Sequence, residues 1–149
     1  MNRPDPQFGV RRPGVPYSER PGAYAIIRAS GDRLAFVSGK AGRLFLPGGG
    51  MHPGEQPEDA LLREIIEEFG WRARILATIG RATQFVAAEG EGCFAVRATY
   101  FRARLIERFT TRYEHEIVWL PAATAVTSLA RESDAWAISR ACDSDAILR

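Results

Sequence analysis

Three consecutive glycines, Gly48 to Gly50, lead into a stretch over residues 57–70 with one strong reading, an amphipathic helix. Pro57 suits the first helical position, where its missing N–H costs nothing. Glu58 and Asp59 follow in the first turn, where they complement the helix dipole. Gly70 stands where a glycine stop belongs. On a wheel of about 100° per residue, with Leu61 at zero, Ile65 falls near 40°, Phe69 near 80°, Leu62 near 100° and Ile66 near 140°. Those positions form one apolar face for a core. Glu67 falls near 240°, Glu64 near 300° and Glu68 near 340° on the same wheel. Three carboxylates therefore share the opposite face within about one turn.

Such a face is unfavourable by itself. Like charges at i, i+3 and i, i+4 cost an isolated helix a few tenths of a kcal/mol per pair. Arg63 offsets part of this by pairing with Glu67, and a bound divalent cation would offset far more. Carboxylate oxygens are hard ligands, so a few of them with waters suit Mg²⁺ or Mn²⁺. Zinc fits poorly, because no His or Cys accompanies the cluster. The glycine run just before the helix lets backbone amides and carbonyls approach a ligand closely.

The rest of the chain supplies a body for this helix. At 149 residues it has the size of one domain. With 46% hydrophobic residues it can build a core without staples. Residues 1–21 hold five of the nine prolines and read as an extended arm without regular structure. The folded domain is expected over 22–149. Residues 23–28 and 34–37 read as strands joined by Ser30-Gly31-Asp32, hence a hairpin. Strand-like segments follow near 72–79, 82–88 and 93–105, with a turn at Glu89 to Gly92, and then Ile117 to Leu120 before Pro121. From Ala122 to about Ala141 apolar residues recur at helical spacing, with a break near Ser133. Strands, one helix, more strands and a final helix make an α+β pattern, not a regular βαβ alternation.

The charge is unevenly placed. The net charge is +2, but the segment from Glu55 to Glu68 holds six acids against Arg63 alone, a local −5 that leaves +7 elsewhere. An acidic cluster in a mildly basic protein suits a cation together with an anionic partner. Cys93 and Cys142 have neither zinc spacing nor a disulfide framework, which points to free thiols in a reducing compartment. No run of 18 apolar residues argues for a membrane partner, and the first residues lack an apolar signal region. A cytoplasmic location is the expectation.

The spacing of the whole stretch is specific. Gly49 is followed after five residues by Glu55, and after seven more by Arg63-Glu64-Ile65-Ile66-Glu67-Glu68-Phe69-Gly70-Trp71. This resembles the Nudix box, with all fixed residues and both hydrophobic positions occupied. With residue frequencies near 0.06, a chance match has odds of order 10⁻⁹ per starting point. Leu46-Pro47-Gly48 resembles the family's lead into the loop, and Glu114-His115-Glu116-Ile117-Val118-Trp119 the strand that follows an acidic loop in many members. The resemblance implies a Nudix fold, a mixed β-sheet sandwiched between α-helices. It implies hydrolysis of a nucleoside diphosphate linked to another group, with Mg²⁺ as cofactor and Mn²⁺ as an alternative. It implies Glu67 and Glu68 as primary metal ligands, Glu64 as a further ligand or base, the Gly48 carbonyl as an extra ligand, and Arg63 as the residue that orients a carboxylate. Members often use an acid outside the box; here Glu114 is favoured over Glu116.

The box names a reaction and not a substrate. The proline and tyrosine marks of ADP-ribose and dinucleoside polyphosphate hydrolases are missing from the Phe85 to Gly90 region. That leaves the MutT-like members and a nucleoside triphosphate as the leading substrate. Two other classes stand beside this reading. One is a catalytically silent nucleotide sensor, against which the intact box argues. The other is an RNA 5′-end hydrolase, which would want a continuous basic groove, whereas these arginines are dispersed. A homodimer is open within the family. Phe85, Phe94, Tyr100 and Trp119 are expected mostly in the core, His52 and His115 as polar loop residues, and Arg28, Arg81 and Arg97 as unselected phosphate-clamp candidates.

Overall fold

The computed structural model describes residues 3–88 and 90–147. In chain order the strands and helices are β1 (Gln7–Phe8), β2 (Ser18–Ile27), β3 (Arg33–Ser38), β4 (Leu44–Phe45), β5 (Gly48–Gly50), α1 (Pro57–Phe69), β6 (Trp71–Ala88), β7 (Gly92–Arg108), β8 (Val118–Pro121), α2 (Ala122–Ala125) and α3 (Glu132–Ile147). Five strands form a mixed sheet in the order β1-β6-β7-β2-β5, and β4-β3-β8 form a second sheet.

Burial along β2 explains how the sheet is covered. Residues 22–27 are buried without a break, because both faces are packed. Ala23, Ala25 and Ile27 face a core with Leu61, Ile65 and Phe69 of α1. Tyr24 and Ile26 face a core with Tyr100 of β7 and Ala137, Ile138 and Ala141 of α3. Period-two alternation thus puts α1 on one face and α3 on the other.

Several local expectations change. Residues 23–28 and 34–37 do not form a hairpin. β2 pairs in parallel with β7 over its whole length, while β3 pairs with β4 and β8 in the other sheet. A lone bridge between Arg28 and Leu34 links them. Ladders between strands distant in sequence bury more side-chain surface on both faces than an isolated hairpin can. Regular structure also begins before residue 22. Gln7–Phe8 adds to the edge of β6, and β2 starts at Ser18, where Glu19 reaches Arg97 of β7 at 2.7 Å. The segments near 72–79 and 82–88 are one strand with register shifts at Arg72/Ala73, Ile75/Ala77 and Thr78/Gly80. The bent stretch is held from above, since Arg140 Nε of α3 donates to the Ile79 carbonyl at 2.9 Å. At the following turn Glu91 N–H bonds the Ala88 carbonyl; Glu89 lies outside the described residues. The C-terminal helical region breaks at residues 129–131, slightly before Ser133.

A buried polar network locks α3 against the sheet. The Tyr100 hydroxyl lies 2.7 Å from Asp134 Oδ1 and 2.8 Å from Ser133 Oγ. Asp134 Oδ2 accepts the Leu46 N–H, and Ser133 N–H donates to Gln84 Oε1. Leu46 is the second residue before Gly48, so this network also anchors the approach to the glycine run.

Candidate active site

The helix with the carboxylates starts and stops where its sequence dictates. Pro57 opens it and the Gly70 N–H closes it on the Ile66 carbonyl. The wheel places Glu68 only about 20° from Leu61, and in the fold Glu68 belongs to the buried side, at 8% exposure. The three carboxylates therefore do not share one open face. Glu67 is exposed, Glu64 half-buried and Glu68 buried.

Arg63 organises the loop and the helix together. Its Nε and Nη2 donate to the two oxygens of Glu55, both at 2.9 Å. Nη2 also donates to the Gly50 carbonyl, and Nη1 to Glu64 Oε1 at 3.0 Å and Glu67 Oε2 at 3.1 Å. Glu55 Oε1 in turn accepts the His52 N–H. A rigid fork with five donors suits this task, and an ammonium could not replace it. These bonds hold the Glu55 carboxyl down at about 2 and push the Arg63 guanidinium further up.

The glycine run sits against the helix because it lacks side chains. Gly48 has φ +134, and a Cβ there would collide with the Ala23 carbonyl and lie 2.7 Å from Tyr24 Cα. Its N–H donates to Glu68 Oε1 at 2.8 Å. A Cβ on Gly49 would lie 2.5 Å from Glu64 Cδ. That obstacle is a movable side-chain end, not backbone. Gly49→Ala should therefore cost less than about 1 kcal/mol of stability yet lower kcat by a factor on the order of 10². Thermal melts beside steady-state rates check this, and unchanged kcat would show that the position of Glu64 does not matter.

The segment that carries Glu114 and Glu116 is bound to the end of α1. The Glu114 N–H bonds the Glu67 carbonyl at 3.2 Å and the His115 N–H bonds the Glu68 carbonyl at 2.8 Å. These are terminal helix carbonyls that lack intrahelical partners. The Glu114 charge is felt at both Glu64 and Glu68. Burial pushes the Glu68 carboxyl up to about 8, helped by Glu64, Glu114 and Glu67 and opposed by the Gly48 N–H. Burial likewise raises Glu64, against the pull of Arg63. Glu116 turns elsewhere and accepts the Tyr113 hydroxyl at 2.7 Å.

Among the described residues no three His, Cys, Asp or Glu side chains form a closed metal-ligand group. The donor set still fits Mg²⁺ or Mn²⁺. Mg²⁺ keeps several waters and typically takes one or two carboxylates plus substrate phosphates, without a full protein cage. Glu68 Oε1 is fixed by Gly48, which leaves Oε2 as a positioned hard donor.

Other candidates fall away from this cluster. Arg97 pairs with Glu19, and Arg81 lies 3.6 Å from Asp5. Phe85, Phe94 and Tyr100 are buried. One neighbour carries no sequence signal. Tyr24 feels the Glu64 charge, and the Arg131 guanidinium sits 5.3 Å from the Tyr24 ring and 5.2 Å from the Phe45 ring. Only the packing of residues 129–131 beside β4 brings Arg131 there.

A family model described as a NUDIX domain matches residues 18–141. The chain belongs to the Nudix family. Nucleoside triphosphatase NudI of Enterobacter sp. (strain 638) is 45% identical over 62 residues, 42% of this chain and 41% of that protein. A putative 8-oxo-dGTP diphosphatase of Bacillus subtilis is 42% identical over 60 residues, 40% of each chain. The matches thus span about two fifths of the length of these curated relatives. Among solved structures, a NUDIX hydrolase from Nitrosomonas europaea superposes with a TM-score of 0.70 at 17% identity, covering 85% of this chain and 90% of that one. MutT from Methanosarcina mazei Go1 gives 0.60 at 22%, covering 76% and 86%. At these identities the structural likeness shows the fold alone, and that fold is the Nudix fold. Among the described residues no helix is long and apolar enough to cross a membrane.

Proposed function

We propose that this Nudix protein is a Mg²⁺-dependent pyrophosphohydrolase of nucleotides, with a nucleoside triphosphate as its substrate and Mn²⁺ able to replace Mg²⁺. The observation that carries this is the junction at the end of α1, where the Glu114 N–H is bonded to the Glu67 carbonyl and the Glu114 charge acts on the carboxyls of Glu64 and Glu68. Glu67 and Glu68 would hold the cation, with Glu64, Glu114 and the Gly48 carbonyl as further donors. When bound, the cation neutralises phosphate oxygens and lets a polyanion approach an acidic site.

The reaction adds water to one phosphorus, breaks the bridging P–O bond and releases two phosphorylated products. Such a transfer is mostly positioning and charge stabilisation. Arg63 does the positioning. It holds one oxygen each of Glu64 and Glu67 and both of Glu55, so the loop and the helix present their carboxylates in fixed relation. A carboxylate of this group takes the proton of the attacking water. Related proteins bear the names nucleoside triphosphatase and 8-oxo-dGTP diphosphatase, which supports a triphosphate. Cys93 and Cys142 are free thiols, in keeping with work in the cytoplasm.

The test is a panel of normal and oxidised nucleoside triphosphates, ADP-ribose, diadenosine polyphosphates and 5′-triphosphate RNA, each with Mg²⁺, Mn²⁺ or chelator. Metal-dependent cleavage of triphosphates is expected. Preference for another class would replace the substrate, and no cleavage with any metal would remove the activity. Glu114→Gln should lower kcat by a factor on the order of 10² or more, and by much more than Glu116→Gln. The reverse order would transfer the role to Glu116.

A further inference from the structure

A cavity of about 330 Å³ opens between the segment before β4 and the segment before α3. Among the described residues it is lined by Ala41, Gly42, Arg43, Thr127, Ser128 and Leu129. None of these is acidic, and none belongs to the carboxylate cluster on α1. The volume stands at the lower end of the range of about 300 to 1,000 Å³ typical of ligand sites, so it suits a small occupant.

The two walls are fixed to one another. Leu44 and Leu129 form a parallel bridge, and the Ala130 N–H donates to the Leu44 carbonyl at 2.9 Å. Within the first wall the Gly39 N–H closes on the Arg43 carbonyl at 2.8 Å. That closure holds Ala41 at φ 57 and ψ 27, with Gly42 following at φ 72. Left-handed backbone is unfavourable for a residue with a Cβ, and strain of this kind collects at ligand clamps. A Cβ on Gly42 would meet nothing within 4 Å, so the turn faces open space.

The donors in these walls suit an anion. Residues 39–46 hold Lys40 and Arg43 and no acid, and residues 121–131 hold Arg131 and no acid. The exposed Arg43 side chain donates from Nη2 to the Ala130 carbonyl at 3.4 Å, longer than a good N–H···O bond. Most of its five-donor fork is left for a ligand. Thr127 and Ser128 bring exposed hydroxyls from the other wall. A planar carboxylate can satisfy the fork alone. A phosphate group has a further oxygen to direct at the hydroxyls while it pairs bidentately with the guanidinium.

We infer that this cavity is a phosphate-binding site separate from the carboxylates of α1, with the Arg43 guanidinium and the Thr127 and Ser128 hydroxyls as its donors. Its place gives it a structural consequence. Phe45 follows the first wall and Arg131 the second, and the Arg131 guanidinium sits 5.2 Å from the Phe45 ring. A bound phosphate braces that contact from outside. The inference stands independently of the proposed hydrolysis.

The test is a titration of metal-free protein in chelator, followed through the backbone amide signals by NMR. Without metal the acidic cluster repels anions, so it does not compete for the probe. Inorganic phosphate and glycerol 3-phosphate are compared with acetate at equal ionic strength. Saturable shifts at Gly42, Thr127 and Ser128 are expected with both phosphates, and acetate should bind about tenfold more weakly or worse. Tighter binding of one phosphate names the source, free anion or monoester. Arg43→Ala should weaken phosphate about tenfold or more, and Ser128→Ala should weaken it less. Both side chains are exposed, and each variant's amide spectrum without ligand shows whether it keeps the fold. Shifts that do not saturate, shifts centred elsewhere, an equal response to acetate, or wild-type affinity in both variants overturns the inference.

Discussion

Glu68→Gln should lower kcat by a factor on the order of 10² to 10³ while making the metal-free protein more stable at pH 8. Both effects come from one placement. Glu68 lies on the buried side of α1 at 8% exposure, with Glu64, Glu67 and Glu114 as charged neighbours. Its carboxyl is pushed from the ordinary 4.5 to about 8. The folded state therefore holds the proton more tightly than the unfolded chain. Stability tied to this group is fully present below pH 4.5 and is lost as pH rises towards 8. Glutamine keeps an acceptor for the Gly48 N–H and carries no charge at any pH. The variant should match wild type near pH 4.5 and gain on the order of 2 to 4 kcal/mol by pH 8. That corresponds to roughly 5–10 °C in Tm. Melts in chelator at pH 5 and pH 8 check it, and an equal difference at both values would refute the burial argument. Glu67→Gln should lose turnover comparably with little gain in stability, since the Glu67 side chain is 47% exposed.

Gly48→Ala should be among the most destabilising single changes in the loop, by about 3 kcal/mol or more. Two costs add. The residue sits at φ +134, where an L side chain is strained, and the new methyl would meet the β2 backbone at Ala23 and Tyr24. Backbone in a fully paired sheet cannot step aside as a side chain can. Relief would require β5 to leave β2, which would also withdraw the N–H that holds Glu68. A fall in Tm of roughly 6–12 °C is expected. A wild-type melting point would show that the loop has room for the methyl group. Contrast with Gly49→Ala, where the obstacle is the Glu64 carboxyl, separates damage to the fold from damage to the site.

The helix and most of its chemistry were legible in the residues themselves. Its limits follow from Pro57 and Gly70, which act on their own turns. The Arg63 to Glu67 pair follows from a fixed i, i+4 spacing. These are local properties, so periodicity and spacing determine them. The wheel misjudged Glu68 for a physical reason. It ranks positions by residue type, whereas burial depends on where the sheet lies, and an angle of about 20° from Leu61 is within reach of the core.

Relations between segments far apart in the chain come from packing across the fold. The parallel pairing of β2 with β7 replaced the expected hairpin, because ladder partners are chosen by burial of whole sheet faces and not by the nearest turn. Glu114 stands by the site, and Glu116 by an aromatic cavity, because the free carbonyls at the end of α1 capture the backbone of 114 and 115. Arg131 reaches Tyr24 for a similar reason, through β4. Local residue order and spacing set the helix, its carboxylates and the family they mark. Only the fold decided which of those carboxylates is buried and what surrounds them, since side-chain environment is set by contacts across the core that no local spacing encodes.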